Sequence, residues 1–127
     1  MRLSIITVTL NSKKTVISTL NSILSQTYDN IEHIIVDGGS TDGTIEIIKS
    51  YENKNTKIIV SEGAGIYESM NLGIKASTGD LISILNSDDI YQNENSIKNV
   101  ISLINKNPDY PIYLGDGVYF KDTSFFD

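Results

Sequence analysis

The chain has 127 residues, 39% apolar and 20% charged, so it can build one core and is not of the disordered class. Its balance is acidic, 16 Asp and Glu against 10 Lys and Arg, which argues against nucleic acid as a partner because phosphate backbones are held by clustered cations. There is no cysteine, which excludes disulfides and thiolate metal sites, and no apolar run long enough to span a bilayer. The cytoplasm is the expected location, with peripheral attachment to the inner face of the membrane left open.

In chain order, strand-like and helix-like segments alternate. "LSIITVTL" (Leu3–Leu10) is a β-branched first strand, not a signal peptide. Between Ser12 and Gln26, Val16, Leu20, Ile23 and Leu24 keep the spacing of an amphipathic helix. "IEHIIVD" (Ile31–Asp37) is a second strand, followed by the turn "GGSTDGT". Ile45, Ile48 and Tyr51 then mark a helix, with Ser40 or Thr41 as its expected N-cap.

"TKIIVSE" (Thr56–Glu62) is a third strand, and Tyr67, Met70 and Ile74 predict a helix between Gly65 and Ser77, with Tyr67 and Met70 in the core. "GDLISILN" gives a fourth strand, and Ile97, Val100, Ile101 and Ile104 stripe a fourth helix. "PIYLGD" (Pro111–Asp116) is the expected fifth strand. Strands alternating with helices call for a doubly wound, mainly parallel α/β sheet with helices on both faces, here as a single domain over residues 1–127.

Sheets of this class bind ligands at the carboxyl ends of their strands. Thr7, Thr9 and Asn11 close the first strand, Asp37 the second, "SEGAG" the third, and "NSDD" with Asp88 and Asp89 the fourth. Asp37 before two glycines can simply close a turn through its own backbone, and "STDGT" lacks the lysine of a phosphate-binding loop. His33, the one histidine, lies inside a strand and is expected to be structural, and Lys75 a solvated charge. Asn71 and Gly73 in mid-helix are both poor helix formers, which suggests a backbone approached closely or an amide in use. Asp88 and Asp89 are either a solvated pair or oxygen ligands for a hard cation, Mg2+ or Mn2+, shared with substrate phosphates.

In this order "SIITVTLN", "IIVDGGSTDGT", "SEGAGIYESMNLGIKASTGD" and "ILNSDD" resemble the family 2 glycosyltransferases, which have a GT-A fold and use nucleotide-activated sugars. The likeness runs from Leu3 to about Phe120 and is greatest to bacterial enzymes of cell-surface polysaccharide synthesis. It implies inverting transfer from a nucleotide-sugar donor, expected to be UDP-linked, to a saccharide or lipid-linked acceptor. It also implies that Thr7, Thr9 and Asn11 line the nucleotide pocket, that Asp37 meets the base, and that Asn71 lies near the nucleotide. Asp89 is implied as metal ligand and Asp88 as ligand of the ribose or the metal, in an assignment that could be exchanged. Asn86 and Met70 stand where many relatives have aspartate and arginine.

In the family the general base lies well downstream, so it is expected beyond residue 127, and the chain is expected to be the donor half of a longer protein or a degenerate copy. Asp116 as a substitute base is weighed against an ordinary loop carboxylate, and Phe120, Phe125 and Phe126 are expected to await a partner surface. A binding module without turnover is the alternative function. A receiver-type signalling domain is disfavoured, because its acidic pair should follow the first strand.

Overall fold

The computed structural model describes residues 1–117, so Phe120, Phe125 and Phe126 lie outside the described residues. The elements run β1 (Leu3–Thr9), α1 (Val16–Leu24), β2 (Ile31–Asp37), α2 (Thr44–Ser50), β3 (Thr56–Val60), α3 (Ile66–Ala76), β4 (Leu81–Ile84) and α4 (Ser96–Lys106). The four strands form one sheet in the order β3-β2-β1-β4, with every pairing parallel. Register pairs Leu3 with Ile31 and Leu81, so residues of like parity in β1, β2 and β4 share a face, while in β3 the parity is reversed, with Ile35 opposite Ile58.

One face carries Leu3, Ile5 and Ile35. It is covered by α1 and α4 through Ile23, Ile97 and Ile101, and by α1 and α2 through Val16, Leu20 and Ile48. Ile6, Ile34 and Val36 on the other face pack against Leu72 and Ala76 of α3. Helices therefore lie on both faces, and the fold is the doubly wound α/β arrangement expected of a GT-A nucleotide-binding half.

Several local expectations are corrected. In α1 the buried stripe is Val16, Thr19, Leu20 and Ile23, while Leu24 is exposed. Val100 is likewise exposed on α4. The α3 face is turned: Ser69 and Gly73 are buried, and Tyr67 is 77% exposed. Gly73 explains the turn, because a Cβ there would sit 2.5 Å from Ile6 Cγ2. Small residues let the helix lie close on the sheet, and that proximity outweighs burial of larger apolar side chains elsewhere on the helix. The odd mid-helix glycine is thus a close-approach position.

The N-cap of α2 is Gly43, at φ 100°, not Ser40 or Thr41. Asp42 supplies the acceptor instead, taking the Thr44 N–H at 3.0 Å and the Thr44 hydroxyl at 2.5 Å. Pro111–Asp116 forms no strand: Tyr113 turns its hydroxyl back to Asn107 O beyond α4, and Ile112 and Leu114 stay exposed. Among the described residues no helix is long and apolar enough to cross a membrane.

At the amino end of the sheet sits Glu32, 1% exposed. Its Oε1 accepts the Ser4 hydroxyl at 2.5 Å and the Gly79 N–H at 3.1 Å, together with the N–H and hydroxyl of Thr78. Arg2 and Lys57 approach Oε2 at 3.5 and 3.7 Å. Burial opposes its charge, but the hydrogen bonds from Ser4 and Thr78 and the Arg2 guanidinium outweigh it and hold the carboxyl at about 2. Glu32 thereby ties β1, β2 and the α3–β4 connection together at the end of the molecule away from the candidate site.

Candidate functional site

β1 leads on one side to β2 and β3, and on the other side lies β4, so the direction of winding changes between β1 and β4. A crevice is expected at the carboxyl ends of these two strands. Two layers occupy that end of the sheet.

The lower layer is sealed. Thr7, Thr9 and Asp37 are each 0% exposed. Thr7 Oγ1 pairs with His33 Nε2 at 2.9 Å, and burial drives His33 down to about 4, so it is neutral and structural as expected. Asp37 Oδ2 accepts the Thr9 hydroxyl at 2.7 Å and the Ser40 hydroxyl at 2.6 Å. Its Oδ1 accepts the Gly39 N–H at 2.9 Å and the Ser40 N–H at 2.7 Å. Burial raises this carboxyl's pKa, and the bonds from Ser40, Thr9 and Gly39 more than reverse that, so it is held below the usual carboxylate range. The turn-closing reading of Asp37 is the one this geometry supports. None of the three residues presents surface to a ligand, and contact between Asp37 and a base would require the Gly38–Ser40 turn to open.

The upper layer is wet. Asn11 stands at φ 50°, a left-handed conformation that asparagine tolerates better than most residues. Its N–H donates to Ser40 Oγ at 2.8 Å, and its Oδ1 accepts the Thr41 N–H at 2.9 Å, locking the β1 and β2 turns together. Ser12 donates its N–H to Thr44 Oγ1 at 2.9 Å, and its hydroxyl meets the Ser87 hydroxyl at 2.8 Å, so the β1 turn also grips the β4 turn.

Asn86, Asp88 and Asp89 are all exposed. The Asp89 N–H donates to Asn86 O at 3.0 Å, and Asn86 Nδ2 donates to Asp89 Oδ2 at 3.2 Å. Asn86 therefore orients Asp89 where an aspartate would repel it. Asn71 is exposed on α3, whose amino end follows the β3 turn. The structure thus brings Asn11, Asp88 and Asp89 to one wet rim and buries Thr7, Thr9 and Asp37 beneath it. The hydroxyls of Ser12, Thr44 and Ser87 carry no signal in the sequence beyond the density of Ser and Thr in "NSKKT", "GGSTDGT" and "NSDD", and Ser40, expected as a helix cap, instead bonds Asp37 and Asn11.

The donor set at Asp88 and Asp89 is oxygen only and open to water, which suits a hard divalent cation. No third His, Cys, Asp or Glu joins them as a cluster among the described residues. A cation there would complete its shell with ligand phosphates and water, the usual habit of Mg2+.

Known proteins resemble this chain in sequence and in fold. The sequence profile described as "Glycosyl transferase family 2" matches residues 4–125. A "PGL/p-HBAD biosynthesis glycosyltransferase" of Mycobacterium bovis is 32% identical over 125 residues, which is 96% of this chain and 48% of the relative. "Glycosyltransferase GlyG" of Streptococcus pneumoniae is 32% identical over 124 residues, 95% of this chain and 40% of the relative. The chain spans about half the length of the curated relatives it matches or less. Among solved structures, S. aureus TarS 1-349 in complex with UDP-GlcNAc superposes with a TM-score of 0.77 at 31% identity, over 84% of this chain and 32% of that one.

Proposed function

As this chain belongs to glycosyl transferase family 2, we propose that its rim binds the nucleotide diphosphate of a sugar donor, UDP-linked, for transfer to a saccharide or lipid-linked acceptor. The observation that carries the proposal is the exposed Asp88–Asp89 pair at the end of β4, beside the change in winding direction, in a chain that matches the family over residues 4–125. The UDP-GlcNAc complex of the 31% identical TarS supports uridine as the base. The relatives are named as glycosyltransferases, which supports glycosyl transfer, and transfer as a whole, in cell-surface polysaccharide synthesis, is proposed of the full-length protein.

In this reading Asp89 and Asp88 hold Mg2+ or Mn2+ against the diphosphate, with Asp88 also within the ribose's reach. A bound divalent cation would screen the negative charge of the leaving diphosphate. Asn11, fixed by Ser40 and Thr41, presents the β1 side of the crevice, and Asn71 contributes from α3. The buried Thr9–Asp37–Ser40 network supports the base-side wall. Work at the inner face of the membrane belongs to the same proposal, since lipid-linked acceptors reside there.

Equilibrium dialysis tests the reading with UDP and GDP, each with and without Mn2+. Preferential, metal-dependent retention of UDP is the expected result. Equal retention of both nucleotides, indifferent to the metal, would overturn it.

A further inference from the structure

The apolar stripe of α1 is interrupted by polar residues that have no obvious place in a core. Thr19 is 0% exposed and Gln26, just past the helix, is 9% exposed, with Ser22 half-buried between them. A hydroxyl in a helix commonly bonds to its own preceding turn. Thr19 instead sends its hydroxyl across to the main-chain oxygen of Asp89, at 2.8 Å. Ser22 Oγ accepts the Tyr91 N–H at 3.2 Å. Gln26 Nε2 donates to Asn93 O at 2.8 Å, and Gln26 Oε1 accepts the Ile97 N–H at 3.0 Å.

The register is regular. Thr19 and Ser22 lie on one face of α1 and Gln26 follows its C-cap, and the three engage alternate residues 89, 91 and 93 of the segment that follows β4. Val16, Leu20 and Ile23 fix α1 in the core on the adjoining face. The segment is therefore tied at every second residue to α1 and the turn that ends it, although its Asp88 and Asp89 side chains stand in water. A valine at position 19 would pack as well and avoid burying a hydroxyl, so the threonine implies a use for the bond it makes.

We propose that Thr19, Ser22 and Gln26 form a rail that sets the position of the Asp88–Asp89 turn, with Thr19 as the positioning residue for Asp89. The proposal rests on the reading of these carboxylates as the cation–diphosphate ligands. Sites of that kind need their ligands held to about 0.5 Å. The Thr19 bond fixes the Asp89 peptide, the Asn86 amide turns its carboxylate, and the Ser12–Ser87 pair steadies the other side of the turn.

Thr19→Val removes the donor at constant volume, Thr19→Ser keeps it, and Ser22→Ala at its half-buried position provides a variant with little folding risk. We expect calorimetry to show Thr19→Val weakening Mn2+-dependent UDP affinity about tenfold, the equivalent of one net hydrogen bond. UDP affinity without metal should not change, the melting temperature should hold within a few degrees, and Thr19→Ser should restore the loss. Ser22→Ala should show a smaller loss in the same direction. Wild-type affinity in both Thr19→Val and Ser22→Ala, or an equal loss with and without metal, would overturn the rail.

A ligand-free measurement separates this from the reading it rests on. Hydrogen exchange of the Tyr91 amide, whose acceptor is Ser22 Oγ, should quicken severalfold in Ser22→Ala. If wild-type protein ignores UDP and Mn2+, the diphosphate reading has failed, and exchange then decides the tether alone. An unchanged Tyr91 rate would remove the tether as well.

Discussion

Asp37 directs both of its oxygens inward, to Thr9, Gly39 and Ser40, and this sets what its substitution should do. Asp37→Ala would strand donors on three residues, Thr9 buried and Gly39 and Ser40 half-buried, and the cost should be on the order of 3 kcal/mol of unfolding free energy. Chemical denaturation would show it as a lower midpoint at constant slope. A ligand-facing aspartate would instead lose binding with stability intact. The residue pattern Asp-Gly-Gly was legible as a turn, but the sequence could not show that Thr9 lies within hydrogen-bonding distance, because that contact depends on the parallel register of β1 and β2. Asn86 belongs at this scale too. Its amide bonds Asp89, a compensation invisible while it is read only as a missing carboxylate.

At the scale of elements, α3 lies on the sheet through Ser69, Gly73, Leu72 and Ala76. In a solvent-exposed helix Gly→Ala adds about 1 kcal/mol of stability. Gly73→Ala should do the reverse here, costing about 1–3 kcal/mol, because the new methyl meets Ile6 at 2.5 Å. Thermal unfolding would read this directly, and a rise in melting temperature would contradict the close packing. The helix was predicted in its correct place but with the wrong face inward, since periodicity weighs large apolar residues and says nothing of how closely two backbones approach.

Three buried titratable groups of β2, His33, Glu32 and Asp37, act on stability as pH falls, and two of them set separate pH windows. His33, at about 4, stays neutral while the unfolded chain begins to take its proton near 6.5, so stability starts to drop below that pH. Glu32, at about 2, keeps its charge while the unfolded carboxyl protonates near 4.5, so its contribution is full above 4.5 and is lost as pH falls toward 2. Each should account for on the order of 3 kcal/mol when fully lost. Glu32→Gln should therefore reduce the slope of the stability profile below pH 4.5, where Asp37 still contributes, and leave the slope between pH 6.5 and 4.5 in place. Urea titrations across pH would check both slopes.

For the whole molecule, the alternation of four strands and four helices was readable from β-branched runs and helical spacing, and so was the parallel sheet. Pro111–Asp116 misled because its composition suits a strand while its residues pair with none of the four strands. The site was legible in outline: strand ends rich in polar residues, with two aspartates at the fourth. Its depth was not, since Thr7, Thr9 and Asp37 read the same whether they face water or one another. The net charge of −6 is consistent with a rim that leaves much of the phosphate compensation to a cation.

Asp89→Ala tests that account most directly, since Asp89 is exposed and its replacement should leave the fold intact. Isothermal titration of wild-type and variant protein with UDP in the presence of Mn2+ is the measurement. The predicted result is metal-dependent binding by the wild type and its loss, by at least about tenfold in affinity, in the variant at unchanged melting temperature. Equal UDP affinity in the two proteins, with Mn2+ present, would contradict the assignment of this rim as a cation–diphosphate site.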